Sequence, residues 1–262
     1  MEYYKLITYI LGGIYGLCVG SFLNVVIYRL PLGMNLAKPG SHCPHCGYTL
    51  RARDNIPVLS YLFLGGRCRK CRAPISPRYM AVELLNMILW LLAVDLFYDR
   101  GFIFTVVVAL TASVMLSVFF IDLAHMLIPD SLQIALLLLG LFATICDPEY
   151  PWYSHLIGMA VGSLFFYGIY ALFYYGFGKD ALGGGDIKLA AVSGLLLGWE
   201  RLLLGLVLAS VSAAILLLIL SRRSGAERGR EYPFGPFLAA AFTLALYVGA
   251  PIINAYLGLL FF

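Results

Sequence analysis

Apolar residues fall in long blocks along this chain, neither alternating as in a half-buried strand nor striped as on an amphipathic helix. Eight blocks stand out, at about 6–28, 80–98, 102–121, 128–146, 154–176, 187–199, 201–221 and 235–261. Breaks separate them: Asp99-Arg100-Gly101, Pro129-Asp130, Asp147-Pro148, Gly183-Gly184-Gly185 and Pro233. Most blocks approach the roughly 20 residues that carry a helix across a bilayer. The pattern predicts an all-α polytopic membrane protein of about eight transmembrane helices, with a small polar module between the first and second spans. The first block is too long for the apolar core of a cleaved signal, and no small-residue cleavage site follows it, so it reads as a retained span. The sixth block is short, roughly 20 Å of helix against a core near 30 Å. Three glycines precede it. Irregular backbone at membrane depth is tolerated only beside protein or water, so this block points to a cavity.

Composition agrees. Apolar residues make up 61% of the 262 and charged residues 12%, and mean hydropathy is +0.88. A soluble domain carries about 25% charged residues, so lipid must cover much of this surface. The net charge of +4 does not signal nucleic-acid binding, because the basic residues cluster in loops between spans. Their distribution sets an orientation. With the N-terminus outside, the cytoplasmic segments are 29–79, 122–127, 177–186 and 222–234, and they hold most of the 18 Lys and Arg. Lys5, Arg100 and Arg201 fall on the outer side. The domain plan is then a first span (1–30), a cytoplasmic module (31–79) and a membrane core (80–262).

The module carries Cys43-Pro-His-Cys46 and Cys68-Arg-Lys-Cys71, two C-x2-C pairs. Each pair can form a tight knuckle presenting two thiolates, and together they suit a tetrahedral structural zinc site. Arg67, Arg69 and Lys70 help offset the thiolate charge. Two disulfides are the alternative, disfavoured in a reducing cytosol. Four thiolates close the coordination shell, so such a metal is structural, and it supplies much of the folding energy of a loop with little core. Cys18 and Cys146 read as buried small side chains.

An ionisable side chain within a span is costly and therefore a functional candidate. Asp122 closes the run Phe119-Phe120-Ile121, and Asp186 follows the glycines. On the topology above both lie at cytoplasmic span ends, at one membrane depth. Two carboxylates brought together share a proton, so one can act as base towards water and the other as acid towards a carbonyl. Taken singly, Asp186 could equally be a helix N-cap, and Asp122 a hydrated span end. Asp130 after Pro129 suits a first helical turn. Lys188 can snorkel to the interface or tune the pair. His125 and His155 read as loop or interfacial residues, and Asp95 and Glu83 require partners if buried.

Five strings are more specific than these arguments. Gly20-Ser-Phe-Leu-Asn-Val-Val-Ile-Tyr-Arg-Leu-Pro31 resembles the first-span signature of the type IV prepilin peptidases, a family serving type IV pili and type II secretion. The paired cysteines, Ile75–Leu84, Phe120–Asp130 and Gly183-Gly-Gly-Asp-Ile-Lys188 resemble that family's segments, in order and over nearly the whole chain. The resemblance implies Asp122 and Asp186 as catalytic residues, with Gly183, Gly185, Lys188 and Asp130 around them. It implies cleavage of the basic leader of prepilins and pseudopilins at the cytoplasmic face of a bacterial inner membrane. It also implies N-methylation of the new N-terminus with S-adenosylmethionine, an activity that goes with the four cysteines Cys43, Cys46, Cys68 and Cys71. Glu83 is the cofactor-binding candidate. The competing readings are another G-x-G-D intramembrane protease, a proton-coupled transporter using the two aspartates as a relay, and a zinc-bearing scaffold.

Overall fold

The computed structural model describes residues 2–178, 182–224 and 232–261. Of the basic residues counted towards orientation, Lys179, Arg228 and Arg230 lie outside them. The described residues form one helix in each of the eight apolar blocks: α1 (Glu2–Arg29), α3 (Arg78–Phe97), α4 (Phe102–His125), α5 (Asp130–Cys146), α6 (Trp152–Phe177), α7 (Gly184–Leu197), α8 (Trp199–Ser224) and α9 (Gly235–Phe261). A short helix, α2 (Leu59–Phe63), lies in the polar loop. Among the described residues, six helices are long and apolar enough to cross a membrane. Helix α5 is apolar but shorter, because Pro129 starts it and Asp147-Pro148 follows its last turn. Helix α7 has 14 residues.

The chain divides into two compact units, Met1–Tyr98 and Asp99–Phe262. In the first, α1 packs on α3. Small residues let the backbones approach: a Cβ on Gly20 would lie 2.8 Å from Glu83 Cα, and one on Gly16 equally close to Met87 Cα. Asn86 Nδ2 donates to the Gly16 carbonyl (2.7 Å) and Asn24 Nδ2 to the Tyr79 carbonyl (3.0 Å). The polar loop is fastened at both ends. Buried Arg29 donates from Nη1 to the carbonyls of Asn35 (3.1 Å) and Leu36 (3.2 Å). At the other end, the Val58 N–H donates to Glu83 Oε2 (2.7 Å).

In the second unit α7 is the centre. It packs against α5, α6, α8 and α9, and Leu189, Ala190 and Val192 through Leu197 are all buried. A helix apolar all round and short for the bilayer belongs inside protein, and this is where the sequence's sixth block lies. Gly158 and Gly162 of α6 face Gly194 and Ala190 of α7 so closely that a Cβ on either α6 glycine would collide with α7 backbone. The remaining lipid-facing surfaces are apolar, as Leu164, Phe165, Val207 and Leu218 illustrate.

Two expectations need correction. Cys18 is not buried: it projects from the exposed face of α1, where a small apolar side chain is as compatible with lipid as with core. Cys146 is half-buried. His155 is not a loop residue. It is fully buried in α6, with Nδ1 2.9 Å from the Leu195 carbonyl, because α7 ends beside it.

Candidate functional site

Asp122 and Asp186 reach one cleft from different helices. Asp122 lies near the end of α4, four residues before Met126 closes the helix in a left-handed cap, with the Met126 N–H on the Asp122 carbonyl (2.9 Å). Its side chain is 5% exposed and lies against Gly235, the first residue of α9. A helix start leaves backbone N–H groups unpaired, and the positive end of the α9 dipole favours an anion there. Asp186 is half-buried in the first turn of α7. Gly183 is the N-cap of that helix, and Gly184 and Gly185 are already helical. Asp186 is thus not the N-cap.

The two aspartates line a cleft of about 450 Å³ together with Met126 through Asp130, Gly183 through Gly185 and Lys188. All four residues expected around the pair, Gly183, Gly185, Lys188 and Asp130, are in this lining. Lys188 Nζ does not turn to either aspartate. It pairs with Asp130 Oδ1 at 2.7 Å, both side chains being exposed, and an exposed pair of this kind contributes at most about 1 kcal/mol.

Sequence reasoning missed three residues here. Gly235 holds Asp122. Ile128 packs under both Gly185 and Gly235, so a single buried side chain spaces the starts of α7 and α9. Gln133, buried on α5, donates to the Gly185 carbonyl at 3.3 Å and steadies the glycine turn. The glycine after Pro233-Phe234 was the visible signal for the first. Nothing in the local sequence marks the other two.

At the opposite end of this unit lies a buried ionic cluster. Arg201, 1% exposed, donates to Asp147 Oδ2 (3.3 Å) and to Glu149, and its guanidinium stacks 4.2 Å over the Tyr150 ring. Arg100 pairs with Glu149 at 2.6 Å. A buried cation is tolerated because two carboxylates meet it.

In the first unit the four cysteines converge. The sulfurs of Cys43, Cys46, Cys68 and Cys71 lie within 4.8 Å of one another. Cys43 and Cys71 are 3.8 Å apart, and Cys46 and Cys68 4.0 Å apart. A tetrahedral zinc with Zn–S near 2.3 Å requires sulfurs about 3.8 Å apart, so the donor set fits a metal. Disulfide sulfurs would be near 2.05 Å, and the four cysteines are unbridged. The two knuckles repeat one geometry. Gly47 N–H bonds the Cys43 carbonyl and Arg72 N–H the Cys68 carbonyl, and Gly47 and Arg72 both have positive φ.

The N–H groups of Cys71 and Lys70 point at the Cys68 sulfur and lower its pKa to about 6. The Ala73 N–H favours the Cys71 thiolate, yet burial and the three neighbouring thiols push its pKa up to about 11. Four crowded sulfurs do not all ionise without a cation among them. Arg69 is not free to offset that charge, because its Nε donates to Asp54 Oδ1 at 2.6 Å. Asp54, buried, also accepts from the Tyr48 hydroxyl (3.0 Å) and the Arg51 N–H (3.2 Å). It ties one knuckle to the other, and sequence reasoning did not single it out. Glu83, the cofactor candidate, is buried on α3 with the Val58 N–H as partner. Asp95 meets Lys5 at 3.8 Å.

Known proteins match the chain along its length. Residues 14–97 match the bacterial peptidase A24 N-terminal domain, and residues 109–218 the type IV leader peptidase family. A prepilin leader peptidase/N-methyltransferase of Legionella pneumophila is 37% identical over 97% of this chain and 96% of its own length. Proteins of the same name from Dichelobacter nodosus (38%) and Stutzerimonas stutzeri (39%) are each covered over 92% of this chain and 91% of their own. No solved structure matches the chain.

Proposed function

We propose, on the premise that the chain belongs to the type IV leader peptidase family, that it cleaves the leader from prepilins or pseudopilins with Asp122 and Asp186 and then N-methylates the new N-terminus. The observation that carries the cleavage reading is the convergence of two aspartates from separate helices on one cleft. The pair holds one proton between its two carboxylates. The ionised member takes a proton from a water as that water attacks the scissile carbonyl. The protonated member donates to the carbonyl oxygen. Collapse of the tetrahedral intermediate returns a proton to the leaving amine. Gly235, packed against Asp122, holds it in place through this cycle. Lys188 and Asp130 form the rim of the cleft, and Gly183 and Gly185 let an extended peptide backbone approach.

Cys43, Cys46, Cys68 and Cys71 would hold a zinc ion, which folds the loop around itself. S-adenosylmethionine would supply the methyl group. Glu83 is the residue we assign to orienting that donor, through the loop its carboxylate fixes at Val58. Fourteen of the 18 Lys and Arg fall in segments that face the cytoplasm when the N-terminus is outside, and Lys188 stands just inside the sixth block beside them, so the cleft opens at the cytoplasmic face of a bacterial inner membrane.

The test is a digest of a prepilin by the detergent-purified protein, read by intact mass with and without S-adenosylmethionine. Loss of the leader, plus one methyl only with the cofactor, is expected. Asp122→Ala and Asp186→Ala should each lose cleavage by about 100-fold or more, and Glu83→Gln should lose methylation and keep cleavage. Normal turnover by either aspartate variant would sink the assignment.

A further inference from the structure

The catalytic cleft has an apolar neighbour. A groove of about 470 Å³ lies over α9, with α4 on one side and α8 on the other. Phe119 and Leu123, which flank Asp122, form one wall; Leu208 and Leu216 form the other. The floor is built from Pro236, next to Gly235, through Ala240 to Leu244. The groove therefore begins beside Asp122 and Gly235 in the chain and follows α9 away from its first turn. From Pro236 to Leu244 it follows about 12 Å of helix, or roughly two turns. Ala240 is exposed, as are Leu123, Leu216 and Leu244. A small residue between two ridges of large ones is a shape that accepts a helix.

The two compartments differ in charge as well as polarity. Among the described residues the cleft presents Asp122, Asp130 and Asp186 against the one ammonium of Lys188, so it attracts cationic peptide. The groove is lined by apolar side chains apart from Ser212 and Tyr232. A chain bound across both would have a basic stretch, then the scissile bond, then an apolar helix.

We propose that this groove seats the apolar helix of the substrate, the segment immediately after the scissile bond, while the basic leader lies along the acidic cleft. The proposal rests on the peptidase reading. Lipid tails are as apolar as the groove, so the helix enters for packing and not for escape from water. The groove's contribution is alignment: it sets the rotation and depth of the helix and so brings one peptide bond to the two carboxylates.

Two measurements test it. Ala240→Phe fills the floor without touching the carboxylates. It should lower kcat/KM on a bilayer-embedded prepilin by roughly 10-fold or more, and change kcat/KM on a soluble peptide that spans the same bond but lacks the apolar helix by less than about twofold. Equal losses on both substrates, or no loss on either, would overturn the groove. A photoreactive residue in place of Ser212, in an Asp186→Asn background that holds substrate uncut, should crosslink to prepilin residues after the cleavage site. Crosslinks to lipid alone would overturn it too, and this result decides if the short peptide is not cut by any form. Failure of the wild-type protein to cut prepilin would instead remove the peptidase reading.

Discussion

Gly235 sits against the carboxylate of Asp122, so close that a Cβ there would lie 2.8 Å from Asp122 Cγ. The start of α9 and the end of α4 thus meet with no room for a side chain between them. Gly235→Ala should displace the carboxylate while leaving a helix start that alanine tolerates. We expect cleavage to fall by roughly 10- to 100-fold, in line with misplacement of a reacting group by about 1 Å, with thermal stability nearly unchanged. Wild-type kcat in this variant would show that the Asp122 position does not depend on the glycine.

Cys43→Ser removes one of four sulfurs that stand at metal-coordination spacing. The bound metal, measured by mass spectrometry of purified protein, should drop from one per chain to nearly none. Leader cleavage should persist in part and methylation should fall further, since the cysteines and Asp122 belong to separate units. Full metal content would contradict the four-cysteine site.

Asp54 should matter through the metal although it is not a ligand. Burial alone would raise its pKa, but the hydrogen bonds from Arg69, Tyr48 and the Arg51 N–H win, and hold it below the usual carboxylate range. Its stabilising charge is therefore fully present at neutral pH and disappears only as the pH falls through that lowered value. Asp54→Asn should speed metal loss to a chelator by roughly 10-fold, as outer-shell changes at metal sites do. The gap between wild type and variant should stay constant from pH 7 to pH 5. A gap that closes near pH 6 would mean another group carries the effect.

The α6–α7 seam predicts a packing defect. Gly194→Ala places a methyl against the Gly158 carbonyl, and overpacking of this kind typically costs 1–3 kcal/mol. The variant should melt lower in detergent and cut prepilin more slowly, because α7 carries Asp186. Unchanged melting would show that the seam can open freely.

The helices were legible because proline, glycine and paired charges punctuate the apolar blocks, and the metal site because the C-x2-C spacing encodes a knuckle. Topology put Asp122 and Asp186 at span ends on the same side, and the family resemblance paired them; the cleft they share needed the fold. Other features needed three dimensions. The spacing of Gly158 and Gly162 is visible, but not that it faces Ala190 and Gly194. Asp54 resembles any loop aspartate until Tyr48 and Arg69 close on it. His155 reads as interfacial because it stands near the start of a span, and it is buried because α7 stops short beside it. Cys18 shows the converse: an apolar block does not reveal which face meets lipid.

The burial of α7 has a consequence for how the protein experiences its membrane. A helix of 14 residues, about 21 Å long, would be badly mismatched to a bilayer if lipid touched it. Because protein surrounds it, mismatch acts on α4, α6, α8 and α9, which can tilt or thin the lipid around them. Asp186 is then held by the seam with α6 and meets bilayer thickness only through its neighbours, whereas Asp122 rides on α4. A change in acyl-chain length should therefore act on cleavage through the tilt of α4 and α6 and not by pulling on α7 directly.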